Sequence, residues 1–216
     1  MDRRTLILAA MFGAALPAQA QSTHDGWTRR MEDGLLVSTK PDLTLRIDPA
    51  FQPLPPLSFP ILDLTDAERR VFVDAGTDRR IRRMIVIQYE HAQAGSPFRF
   101  LFPSHPPRTF GEQTYRTGAF AYDDEAAART NPDREAGRTR AFLIDAGYQP
   151  PLGWDVARLA RVSDEQGLTE VIIFYMEARA SMDGAPVDED GDVILPPKRG
   201  EALHQGLRTT VIPVRG

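Results

Sequence analysis

The sequence predicts an α+β fold: a mainly antiparallel β-sheet with one principal helix packed on it, arranged as a single-domain sandwich. Three observations lead there. Apolar runs of strand length recur along the chain, above all Ile81 to Tyr89 and Thr169 to Arg179. Short turn-forming stretches join such runs, as Ala75-Gly76-Thr77-Asp78 and Ser163-Asp164-Glu165-Gln166-Gly167 do, which suits hairpins. One stretch carries a full set of helix signals. In Asn131-Pro132-Asp133 a capping side chain precedes a proline at the first position and an acid in the first turn.

The elements follow in order. Asp2-Arg3-Arg4 and the apolar run Thr5 to Leu16 lead to Ala18-Gln19-Ala20, the small-residue pattern of a signal-peptidase site. The run is about a dozen residues, short of the roughly 20 that span a bilayer. Residues 1–20 are therefore expected to be a cleavable signal peptide, with Gln21 the new N-terminus and a periplasmic or secreted location. Arg3-Arg4-Thr5-Leu6-Ile7 resembles a twin-arginine export signal, which implies transport in the folded state. Polar residues 21–34 are expected to form a flexible leader, and 35–216 a single domain.

Leu35 to Ile47 reads as two short strands that turn at Pro41-Asp42, with Leu43, Leu45 and Ile47 sharing one face. The proline-rich passage 49–60 lacks backbone donors and is excluded from a sheet interior. It is read as a surface crossover, with a polyproline ligand as the alternative. Thr65-Asp66-Ala67-Glu68 has the form of a capping box, yet Arg70 to Asp74 is β-branched in the manner of a strand. The clear strand at Ile81 favours a hairpin over a helix here. Phe98, Phe100 and Phe102 recur at period two and predict a further strand, as does Tyr115 to Tyr122. The helix begun at Asn131 should run to about Ala146 with Gly147 as its C-cap. Asp155 to Val162 and Thr169 to Arg179 are the next two strands, the second central in the sheet. Residues 183–200 read as turn-rich, and Leu207 to Val214 as a closing helix or strand.

Composition excludes several functions. Without residues 1–20 the chain carries 24 basic and 29 acidic side chains. Nucleic acid and anionic membrane surfaces require the opposite balance, so neither is expected as a partner, and no membrane span remains after cleavage. The chain has no cysteine, which removes disulfides, thiolate metal sites and thiol nucleophiles.

Candidate sites are few. Asp188-Glu189-Asp190-Gly191-Asp192 invites a calcium loop, but the alignment puts Pro186 and Pro197 at ligand positions, so Asp190-Gly191 reads as a hairpin turn. His24, His91, His105 and His204 have no metal-binding spacing. Cleavage after Ala20 makes His24 the fourth residue, one place beyond an amino-terminal copper site. No metal or cofactor is expected. Glu90 and His91 end a strand and could act as general acid or base, as could His105 in the stiff loop Pro103 to Arg108. Phe98, Phe100 and Phe102, with His105 and Trp154, are candidates to line an apolar pocket, and simple core packing is the competing use of these aromatics.

Three functions follow as expectations. The first is an exported, non-catalytic binding or accessory domain for a small apolar ligand or a partner protein. The second is an enzyme using His105 or Glu90 and His91. The third is an interaction module acting through segment 49–60.

Overall fold

The structure is a computed structural model that describes residues 28–101, 106–182 and 193–214. It begins with an antiparallel meander of β1 (Arg29–Glu32), β2 (Leu35–Thr39) and β3 (Asp42–Ile47). β2 and β3 are the two expected halves of 35–47, and Leu43, Leu45 and Ile47 all point into the core. β1 lies inside the stretch expected as a leader. Its pairing with β2 and its buried Arg29 make it part of the fold. The final strand β12 (Val211–Pro213) joins the far edge of this small sheet by pairing with β3.

The proline-rich passage is neither a free crossover nor a polyproline helix. It supplies β4 (Gln52–Pro53) and β5 (Leu57–Ile61), which both pair with β6 (Thr65–Ala75). Proline is tolerated there because β4 and β5 border the sheet, where a missing donor costs no interior ladder bond. β6 and β7 (Ile81–Ala92) form the expected hairpin through residues 75–80. The capping-box residues Thr65 to Glu68 therefore lie in a strand, since pairing on both sides outweighs a local helix signal. β8 (Pro107–Phe110), β9 (Gln113–Asp123), β10 (Gly153–Val162) and β11 (Thr169–Arg179) complete a large sheet of order β4-β6-β7-β11-β10-β9-β8. All its strand pairs are antiparallel, with β11 central as expected.

Among the described residues the single principal helix gives way to three. α1 (Asp124–Thr130) is capped by the Asp123 side chain, which accepts from the Ala126 amide at 2.8 Å. α2 (Glu135–Asp145) starts a turn later than Asn131-Pro132-Asp133 suggests. Those residues form the link between α1 and α2, pressed so close to Gly137 that a Cβ there would lie 2.4 Å from the Pro132 carbonyl oxygen. The end is as expected. Gly147 adopts φ 79°, its amide bonds the Ile144 carbonyl and the Tyr148 amide bonds that of Leu143, the two bonds of a Schellman cap. α3 (Pro197–Thr210) begins inside the stretch read as turn-rich, with proline in its first turn.

Two cores result, one on each face of the large sheet. The first joins that sheet to the small one and to Leu203 and Leu207 of α3. The second packs Leu143 of α2 and Tyr148 on Val71, Met84, Val86, Trp154, Val156 and Met176. α3 approaches the sheet closely because Gly206 faces the Tyr175 ring, where a Cβ would stand 2.7–2.9 Å from three side-chain atoms. Tyr175 is held by its bond to Glu177 at 2.8 Å and cannot easily turn aside. Gly206→Ala is therefore expected to lower stability by about 1–2 kcal/mol in urea unfolding, overpacking outweighing the better helix propensity of alanine. An increase in stability would contradict this close approach.

Candidate functional site

Strand pairing carries two rows of side chains across the α2 face of the large sheet. Directly opposed residues share a face, so each row can be read from the register. One runs Arg116, Ala160, Ile172, Gln88, Arg69. The next runs Val162, Glu170, Glu90, Ala67, Phe59. At one end the rows open into a cleft, and at their middle they carry buried charge.

The cleft has a volume of about 680 Å³ and lies between the β10–β11 turn and residues 99–101. Phe100, Leu101, Ala160 and Val162 give it an apolar lining, and Arg99 and Arg116 are on its walls, whereas the Arg161 side chain turns to the other face of β10 and donates to Gln113 at 3.4 Å. Two acids also line it, Asp164 and Glu165. Asp164 is committed to its own turn: it accepts from the amides of Gln166, Leu168 and Thr169 and from the Thr169 hydroxyl. Burial raises its carboxyl pKa, but these bonds outweigh that and hold it below the ordinary value. The Phe100 amide bonds the Gly167 carbonyl at 2.9 Å, which fixes this wall. Leu101 stands 76 % exposed at the opening.

The middle of the rows is a polar network under the first half of α2. Arg69 donates to Gln88 Oε1, to Thr139 Oγ1, and to the Glu135 carbonyl and carboxylate at 3.1 and 3.0 Å. Gln88 Nε2 donates to Glu90 and, at 2.9 Å, to Glu135. Thr65 donates to Glu90 at 3.3 Å. Glu170 is different. It is only 4 % exposed, and its Oε2 has no hydrogen-bond partner. Burial, then the neighbouring Glu90, push its carboxyl up to about 8, with Arg158 opposing and Glu135 adding to the rise. Glu90 is raised as well, by burial and then by Glu135.

The sequence-predicted residues fall in different places. Phe98 and Phe100 do meet, edge to face with centroids 4.9 Å apart. They do not form the strand that period two predicts: residues 97–101 join no sheet, because both sides of β7 are already taken by β6 and β11. Trp154 is 1 % exposed in the core beneath α2. It lies eight residues along β10 from Val162, about 26 Å away, so it does not share the Phe100 cleft. Glu90 and His91 are neighbours on a strand and face opposite sides, Glu90 toward α2 and His91 with Tyr89 toward the small sheet. They cannot act on one group together. Phe102, His105 and Asp188 to Asp192 lie outside the described residues, as do His24 and the segment 1–27.

Sequence reasoning missed Glu170, Gln88 and Arg69. Each is a polar residue in an otherwise apolar strand, and that interruption was the available signal. Among the described residues no three His, Asp or Glu side chains converge as a metal site, and no helix is long and apolar enough to cross a membrane. No family model, curated protein or solved structure matches the chain.

Proposed function

We propose that the protein works after export as a non-catalytic binding domain, and that its ligand is a small amphipathic anion seated in the cleft at Phe100 and Val162. The observation that carries this reading is the cleft itself, whose volume is that of a site for a small organic molecule. Its lining supports the ligand class. Phe100, Leu101, Ala160 and Val162 suit an apolar body, and Arg99 and Arg116 also line the cleft. An arginine guanidinium suits a carboxylate or similar head group.

The enzyme reading loses support for the Glu90 and His91 pair, whose side chains face opposite sides of β7; its other candidate, His105, lies outside the described residues. The interaction-module reading loses it from the engagement of segment 49–60 in pairing with β6.

Native mass spectrometry of protein purified from its own periplasm tests the reading. The expected result is a retained small organic anion, and a clean unliganded mass would count against a tight site. Leu101→Asp places a negative charge at the opening and is expected to weaken binding of an anion such as decanoate at least several-fold. Thermal stability should be unchanged, because the side chain is largely solvated. Undiminished decanoate binding by this variant would argue against the cleft.

A further inference from the structure

Glu170 and Glu90 are directly opposed on adjacent antiparallel strands, with Cβ atoms therefore about 4.5–5.5 Å apart. Both are buried. Two carboxylates at this spacing cannot both ionise away from water without strong compensation. The compensation present is directed elsewhere. Gln88 and Thr65 donate to Glu90, and Arg69 of β6 is engaged with Gln88, Thr139 and Glu135. Glu135 of α2 adds a third negative charge, Arg158 of β10 an opposing positive one. Oε2 of Glu170 is left with no donor. On its other side Glu170 is directly opposed to Val162, a wall of the cleft.

We propose that Glu90 and Glu170 hold one proton between them at neutral pH, and that losing it weakens binding of an anion in the cleft. The pair is a pH sensor for the site, and this rests on the reading of the cleft as an anion site. The coupling is electrostatic: deprotonation puts a second negative charge in the row that ends at Val162. By linkage, anion binding must draw a proton onto the pair to the same extent. A unit charge acting over about 12 Å at an effective dielectric of about 20 changes affinity about tenfold.

The test uses decanoate as the probe, with calorimetric titration of the purified protein on either side of the raised Glu170 value of about 8. Affinity should fall about tenfold from the acid to the alkaline side, with net proton uptake on binding near the midpoint. Glu170→Gln should bind with an affinity that no longer changes over this range. Carboxyl-carbon NMR of the unliganded wild type gives an independent readout, in which Glu170 should titrate well above ordinary glutamates. An ordinary titration for Glu170, or decanoate binding that is flat with pH in the wild type, overturns the proposal. Absence of decanoate binding at every pH, with Glu170 still titrating high, instead overturns the cleft reading, and the coupling with it.

Discussion

Replacing Glu68 with alanine is expected to lower the unfolding free energy by about 3–5 kcal/mol, the cost of leaving buried charge unpaired. Glu68 lies on the face of β6 turned toward the small sheet. One carboxylate oxygen accepts from Arg29 of β1 at 3.0 Å and the other from Arg70 at 2.6 Å, with all three side chains buried. Arg70 also donates to the Arg29 carbonyl at 2.7 Å, and the Arg29 guanidinium stacks 4.1 Å from the centre of the Tyr89 ring. Alanine would strand two guanidinium groups at the junction of the sheets. Urea unfolding gives the magnitude, and amide exchange gives the location: protection should drop first in residues 29–47. A loss below about 1 kcal/mol, the range of solvent-exposed pairs, would mean that the triad does not join the sheets.

Glu170→Gln is expected to do the reverse, stabilising the protein at alkaline pH. In the fold the carboxyl keeps its proton to about pH 8, whereas its ordinary value is 4.5. Between those limits the folded state binds a proton that the unfolded state has released. Stability contributed by this group is therefore full below pH 4.5 and declines as pH rises toward 8. Glutamine does not titrate, so its advantage over the wild type should grow across that window. Above it the variant should be more stable by about 3–5 kcal/mol, the cost of an unpaired buried charge. For a chain of this size that is about 6–20 °C in Tm. At the acid end the two proteins should differ little. A constant difference across the whole window, or none, would show that Glu170 carries no proton in the fold.

The strands were largely legible because burial on a sheet enforces alternation. Leu43, Leu45 and Ile47 announce β3, and the unbroken run in Thr169–Arg179 announces a strand covered on both faces. Helices were harder. Asn131-Pro132-Asp133 carries valid start signals, but the close contact of this segment with Gly137 makes it a turn. Asp123, followed by two acids and alanines, is an equally good start signal, and so is Pro197 at the head of α3. The phenylalanine stripe misled because period two states which side chains share a side, not whether a neighbouring strand is free to pair. The candidate site was legible at Phe100 and Glu90. What joins them is register: Val162 and Glu170 meet across one hairpin, but Glu90 lies 80 residues earlier in the sequence, and only the pairing of β11 with β7 sets it in their row.

Amide shift mapping on isotope-labelled protein tests the cleft most directly, with decanoate added until the shifts saturate. The predicted result is a set of shifts concentrated at Phe100, Leu101, Ala160, Val162 and Gly167, the residues that wall the cleft. Saturating shifts that leave these five unmoved, centred for example on the smaller cavity between Phe59 and Arg138, would contradict the assignment of the cleft as the binding site.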